Sequence, residues 1–156
     1  MAAIYNQGIE ERQATFQTRP HTTDDFEARI ASGRPFLVAE VDGEVVAWAA
    51  VLPYSDLAPY YAGVGEATMY VERSARRMGL GSRLLTELAS TAERSGFYKL
   101  TGKIFTSNGP SIELVTSLGY REVGTHRRHG RLDGEWKDVL VVELLLGDAT
   151  SEELNS

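Results

Sequence analysis

Hydrophobic and polar residues along this chain change rhythm several times, from simple alternation to recurrence every three to four positions. The stretch "PFLVAEVDGEVVAWAAVLP" reads as a hairpin, with predicted strands at Phe36–Val41 and Val45–Leu52 joined across the Asp42-Gly43 turn signal. "GVGEATMYV" predicts a strand at Val64–Val71, where Gly63 and Gly65 leave either a bulge or a close backbone approach open. From Leu80, apolar residues recur as Leu80, Leu84, Leu85, Leu88, Ala89 and Ala92, with Arg83, Thr86, Glu87, Ser90 and Arg94 on the other face. This is an amphipathic helix stopped by Gly96. Lys99–Phe105 follows as a strand, "SNGPSIELVTSLG" as a shorter helix ending at Gly119, and Tyr120–His129 with Lys137–Leu146 as strands paired around "LDGE". Thr23–Ala31 suits a helix after the break at Pro20, and the polar stretch Asp148–Ser156 is expected to fray.

Composition narrows the picture. A chain of 156 residues with 42% hydrophobic content can bury one sizeable core, so one domain is expected over residues 1–147, followed by the polar tail. A net charge of −6 argues against a protein that coats nucleic acid or anionic membrane and favours a small-molecule partner. There is no cysteine, which excludes disulfides, thiolate catalysis and cysteine metal sites. No signal peptide and no apolar run of membrane-spanning length stands out, and a cytoplasmic location is the default expectation.

Candidate chemistry centres on "RRMGLGS", Arg76–Ser82, where a strand runs into a glycine turn that opens a helix. Such a turn leaves backbone N–H groups unpaired at the positive end of the helix dipole, which is a cradle for an anion such as a pyrophosphate. Gly79 and Gly81 would let a phosphate reach the backbone, and Arg76 and Arg77 would add charge-assisted contacts. GxGxxG lacks its third glycine here, and the GK[ST] ending of a P-loop is missing. On spacing alone, a tight turn flanked by solvated arginines remains an equal reading.

"RRMGLGSRLL" after "MYV", with "SNGPSIELVTSLGYREVG" downstream, resembles the acetyl-CoA signature of the GNAT superfamily of N-acetyltransferases. More narrowly, "IYNQGIEERQATFQTRP", "EATMYV", "SLGYREVG" and "HGRLDGEWKDV" resemble the phosphinothricin acetyltransferases, and "IYNQGIE", "YAGVGE" and "RRHGRLDGEWKD" the arsinothricin N-acetyltransferases. The likeness runs from Ile4 to Leu146. It implies an α/β (α+β) class and a GNAT fold: a twisted, mostly antiparallel mixed sheet splayed between its central strands, with helices on both faces. It also implies acetyl-CoA as donor and no metal. The pantetheine arm would lie between the "GVGEATMYV" and "KLTGKIF" strands against backbone groups of Tyr70 and Val71. The pyrophosphate would rest on Arg76, Arg77, Met78, Gly79, Leu80, Gly81 and Ser82, with Asn108 and Ser111 also near the cofactor. Asn108 equally suits a helix N-cap before Pro110.

Acetyl transfer to an amine needs a neutral amine, a donor for the oxyanion and an outlet for the thiolate. Glu66 is the candidate base by alignment with the branch; a partly dry site would raise its pKa, whereas a solvated strand residue is the plainer reading. The N–H of Val71 or its neighbour would serve the oxyanion. Val115 stands where many superfamily members carry a tyrosine and this branch a histidine, so the thiolate would leave unprotonated or be served by Tyr60, Tyr61 or a water. A glutamate-like substrate, detoxified by acetylation of its α-amino group, calls for cations and hydroxyls. Candidates are Thr15, Phe16, Tyr54, Tyr60, Tyr61, Arg73, Arg127 and His129, with Arg128 and Arg131 nearby, although "HRRHGR" also reads as a solvated strand face. The tyrosines before Glu66 suggest a closed pocket, which disfavours the alternative of a peptide or protein amine; a non-catalytic acyl-CoA-binding module is the other alternative. His126 and His129 lack the third ligand a metal needs. Relatives open with a further strand where this chain begins near "AIYNQG", so the first strand is expected to be missing and an edge left for the homodimer the branch implies.

Overall fold

The structure, a computed structural model, describes residues 1–55 and 58–151. In chain order it contains α1 (Ala2–Glu11), α2 (Thr23–Ala31), β1 (Phe36–Val41), β2 (Glu44–Pro53), β3 (Val64–Val71), α3 (Leu80–Arg94), β4 (Lys99–Phe105), α4 (Gly109–Ser117), β5 (Arg121–Leu132) and β6 (Glu135–Leu145). Six strands form one sheet in the order β1-β2-β3-β4-β6-β5, antiparallel throughout except for the central β3–β4 pair. The chain opens on a helix rather than a strand, and β1 stands at a sheet edge.

Alternation along the strands divides the core between two faces. Ala47, Ala49 and Val51 of β2 turn toward α3, joining Leu84, Leu85, Leu88 and Ala92 with Val115 and Tyr120 at α4. Burial of each such leucine contributes about 1.5–3 kcal/mol. Trp48 and Ala50 turn to the opposite face, where Ile4, Tyr5 and Ile9 of α1 and Phe26 of α2 cover them. Trp48 is fully enclosed, stacked on Phe36 at 5.7 Å and Tyr70 at 5.2 Å, with the Phe26 ring edge-on at 5.1 Å. Helix α2 starts where the sequence places it, because the Thr22 N–H donates to the Asp25 carboxylate at 2.7 Å and closes the first turn.

Helix α1 has no counterpart in the hydrophobic pattern. Its buried set, Ile4, Tyr5, Gly8 and Ile9, is held by packing on the Trp48 cluster, and the helix has no side-chain N-cap. It is tied to the segment after β3 by Glu11, whose carboxylate accepts from Arg73 Nε at 2.9 Å and Arg76 Nη1 at 2.8 Å. At β3 the glycines mark a close approach and not a bulge: a Cβ on Gly65 would lie 2.3 Å from Val51 Cγ1, and the β2–β3 register is unbroken. The long β5–β6 hairpin carries a register shift between His126 and Gly130. At the end of the described chain, Gly147–Thr150 form a 3₁₀ turn where a frayed tail was expected; residues 152–156 of that tail lie outside the described residues.

The two strands that flank β6 are linked across it by Glu143, which pairs with Lys99 of β4 at 3.0 Å and with Arg121 of β5. Hydrogen bonds from Arg121 and Lys99 hold its pKa below the ordinary 4.5. A depressed carboxylate pKa contributes stability that is present above the unfolded value and is lost as pH falls through the folded one. Glu143→Gln is therefore expected to cost up to about 1 kcal/mol at neutral pH, with the deficit shrinking as pH falls below 4.5. Urea titrations of both proteins across that window check it; a deficit unchanged into strong acid would refute the linkage.

Candidate active site

Strands β3 and β4 pair only at Val64↔Lys99, Gly65↔Leu100 and Glu66↔Thr101, and then separate. The Thr101 hydroxyl donates to the Gly65 carbonyl at 3.3 Å and stitches the last rung. Beyond it the sheet has a gap.

Which backbone groups face that gap follows from the β2–β3 ladder. Glu72 N–H donates to Val46 O at 2.7 Å, which brackets Ala47↔Val71 as a non-hydrogen-bonded pair. Alternation then commits the N–H and C=O of Tyr70 and Thr68 to β2 and turns those of Ala67, Met69 and Val71 toward the gap. The expectation that Tyr70 offers its backbone to a ligand is thus corrected: Met69 takes that place beside Val71. Thr106 N–H to Asp138 O, 3.2 Å, fixes β4 in the same way and leaves Lys103 facing β3.

The resulting cleft is floored by Leu85, Leu114, Val115, Tyr120 and Val142 and flanked by Ala67–Tyr70 and Gly102–Phe105. Asn108 and Ser111 line it as expected, and Asn108 also caps α4, accepting from Ser111 N–H at 3.4 Å. One side chain thus both caps the helix and lines the cleft. The Tyr120 hydroxyl is buried with no hydrogen-bond partner among the described residues, and burial pushes its pKa up to about 12.

At the C-terminal end of β3 the chain passes through a short turn into α3. Gly79 adopts φ 75°, which only glycine takes without strain, and Arg77 before it is also left-handed at φ 64°. The first bond of α3 is Arg83 N–H to Gly79 O at 3.3 Å and no side chain caps the end, so the N–H groups of Leu80, Gly81 and Ser82 stand open. Gly81 serves a different purpose from the one expected: its Cβ would point inward, 3.1 Å from Met69 Cε and 3.2 Å from Leu114 Cδ2, so it allows helix and sheet to close. Arg76 is engaged elsewhere too, bonded to Glu11 and to the Val71 carbonyl at 3.2 Å. Arg77 and Met78 are exposed beside the turn.

Glu66 lies at the fork, with its side chain on the face shared by Thr68 and Tyr70. The setting is partly dry and not purely apolar: the side chain is 24% exposed and its Oε2 lies 3.3 Å from Lys103 Nζ. Lys103 was missed in the sequence, although a lysine two residues from Thr101 in "LTGKIF" was a visible polar signal on that face.

Among the candidate substrate residues, the loop after α1 reaches the site. Thr15 Oγ1 lies 3.3 Å from Tyr5 Oη, beside the buried Tyr70 hydroxyl, whose pKa is raised first by burial and then by Tyr5. Phe16 packs edge-on to Phe105 at 4.8 Å, next to Ala14, which lines the cleft. Tyr54, Tyr60 and Tyr61 do not line it. They form their own cluster, with ring centroids 5.5 and 4.7 Å apart, and remain 50%, 74% and 43% exposed, so they do not make a closed pocket. Arg73 is bound to Glu11, not to the cleft. Arg127 and His129 are exposed on the β5 bulge, where His129 stacks on His126 at 4.3 Å and Arg128 N–H donates to Asp138 at 2.7 Å. Neither lines the cleft.

Residues 1–120 match the model of the "Acetyltransferase (GNAT) family", and the chain belongs to that family. It is 39% identical over 140 residues to the phosphinothricin N-acetyltransferase of Streptomyces viridochromogenes, covering 87% of this chain and 75% of that protein. It is 31% identical over 156 residues to the L-methionine sulfoximine/L-methionine sulfone acetyltransferase of Pseudomonas paraeruginosa, covering 96% and 89%. The crystal structure of a GNAT superfamily phosphinothricin acetyltransferase from Sinorhizobium meliloti in complex with AcCoA superposes with a TM-score of 0.88 at 26% identity, covering 96% and 83%. The protein is an acetyltransferase. Among the described residues no helix is long and apolar enough to cross a membrane.

The two glycines separate turn geometry from packing. Gly79→Ala is expected to cost about 1–2 kcal/mol through its positive φ and to weaken coenzyme A binding. Gly81→Ala is expected to change stability by no more than about 1 kcal/mol, the gain in helix propensity offsetting the small shift asked of Met69 and Leu114, with a smaller effect on affinity. Thermal melts and calorimetry with coenzyme A check both; equal losses of affinity would refute the division.

Proposed function

We propose that this chain is an acetyl-CoA-dependent N-acetyltransferase that acetylates the α-amino group of a glutamate-like amino acid of the phosphinothricin, methionine sulfoximine or arsinothricin type, as a detoxification step. One observation carries the reading. The cleft between β3 and β4 opens just beyond the Glu66↔Thr101 rung, lined by Ala67–Tyr70 and by Lys103, which lies 3.3 Å from the Glu66 carboxylate, and β3 runs on toward the uncapped start of α3.

Acetyl-CoA fits this chain's own residues. The open edge of Ala67 and Met69, with the N–H of Val71, can pair with an extended amide-bearing arm, and the N–H groups of Leu80, Gly81 and Ser82 suit a diphosphate, with Arg77 beside them. Bound there, acetyl-CoA supplies an acetyl group activated as a thioester. Glu66 accepts the proton of the substrate ammonium, directly or through a water, and frees the nitrogen lone pair. The Val71 N–H donates to the carbonyl oxygen where negative charge develops. Tyr120, protonated at neutral pH with a pKa near 12, is the buried donor that Val115 cannot be. It replaces Tyr60 and Tyr61 in that role, since neither lines the cleft. A homodimer would cover one of the two sheet edges, β1 or β5, and the extended exposure of Arg121–His129 favours β5. A cytoplasmic location accords with a soluble amino-acid substrate.

Thiol release from acetyl-CoA with phosphinothricin, methionine sulfoximine and arsinothricin tests the reading; release is expected with at least one, and none with all three would sink it. Glu66→Gln should lower kcat by about 10²–10⁴-fold. Tyr120→Phe discriminates the role of the orphan hydroxyl. As a donor to the departing sulfur its loss should lower kcat about tenfold or more. Stability should hold or rise by about 1 kcal/mol, since an unpartnered buried hydroxyl is removed. Unchanged kcat would exclude that role.

A further inference from the structure

Resting on the amino-acid reading above, we propose that Glu66 and Lys103 act together as a receptor for the α-amino acid zwitterion, Glu66 taking the ammonium and Lys103 the α-carboxylate. Their charged groups lie 3.3 Å apart on the same face of the sheet, one at the last rung of β3–β4 and one just beyond it. In an α-amino acid, standard bond lengths put the ammonium nitrogen and the carboxylate oxygens about 3 Å apart. The protein pair and the substrate pair are therefore charge mirror images at matching spacing.

Three observations favour exchange over a fixed brace. Lys103 makes no other ion pair or hydrogen bond among the described residues, and neither does Glu66. The lysine side chain is about half exposed, so its existing bond is weak and easily surrendered. And Lys103 lines the cleft together with Thr68, Tyr70 and Asn108, within the space a substrate must enter.

The same geometry discriminates. A simple amine can take Glu66 only by leaving Lys103 unpaired beside a second cation, an unfavourable juxtaposition that a neighbouring carboxylate cancels. Blocking the carboxylate as an amide or a peptide bond removes the cancellation. Lys103 is thus a specificity-determining residue, selecting free amino acids over amines, amides and internal peptide residues.

Steady-state kinetics on methionine sulfoximine and its α-carboxamide test this with Lys103→Met and Lys103→Arg. Wild type should favour the acid by roughly 10- to 100-fold in kcat/KM, the scale of one charge-assisted hydrogen bond. Lys103→Met should erase that preference by raising KM for the acid while leaving the amide nearly unchanged, and Lys103→Arg should restore part of it. If wild type acetylates the acid and Lys103→Met keeps the preference, or slows acid and amide equally, the lysine acts otherwise and this proposal fails alone. If wild type prefers the amide, this proposal fails; if it acetylates neither, the same pair of measurements on phosphinothricin and arsinothricin with their α-carboxamides decides, and no turnover of any of the three acids sinks the amino-acid reading and the proposal with it.

Discussion

The separation of β3 from β4 after the Glu66↔Thr101 rung is the constraint on which the rest depends. Each strand keeps a full ladder on its other side, β3 with β2 and β4 with β6, so the split costs the fold only the inner edges. Leu85, Leu114 and Val115 fill the space beneath and keep the strands from closing. An unpaired backbone group in a dry site costs about 1–3 kcal/mol, so these edges demand solvent or a ligand with alternating donors and acceptors. A cleft of this kind is selective for an extended amide chain before any side chain is considered.

Arginines near the glycine turn show how charge is used to set shape. Burial of Glu11 alone would raise its pKa, but hydrogen bonds from Arg76 and Arg73 outweigh that and leave it lowered. The carboxylate so held bridges α1 to the segment after β3, and Arg76 also grips the Val71 carbonyl. Arg76 therefore braces the segment between β3 and the glycine turn, while Arg77 stays exposed beside that turn.

Elements with strong periodicity were legible in the residues. Phe36–Val41, Val64–Val71, Lys99–Phe105 and Thr23–Ala31 have the boundaries that alternation and capping indicate. Helix α1 was not, because "AAIYNQGIEE" contains Gly8 and Asn6 and lacks a capping side chain, and its helicity comes from packing on Trp48. At the site, Glu66, Asn108 and the glycine turn were found through motif likeness. Lys103 and Tyr120 were missed because their roles arise across strands: Lys103 matters only when the register sets it beside Glu66, and Tyr120 only when α4 buries its hydroxyl. Tyr54, Tyr60, Tyr61, Arg127 and His129 had suitable chemistry, but nothing in a linear pattern shows which residues face a gap in a sheet.

Parity along the strands gives the gap a further meaning. Glu66 and Lys103 project on the face covered by α1 and α2, whereas Val115 and Tyr120 belong to the cluster beneath α3 and α4. In an unbroken sheet these two sets would be insulated from each other by paired backbone. Because β3 and β4 part, a reacting centre held between them can be reached from both sides. On the proposed mechanism, the proton leaving the amine would be taken on one face, and the proton needed by the departing sulfur would be offered on the other. Base and acid then need no contact and no shared hydrogen bond, so each can be altered without disabling its partner. The loss of the tyrosine or histidine from position 115 is tolerable on this account, since a donor anywhere on the α3–α4 face of the gap can serve.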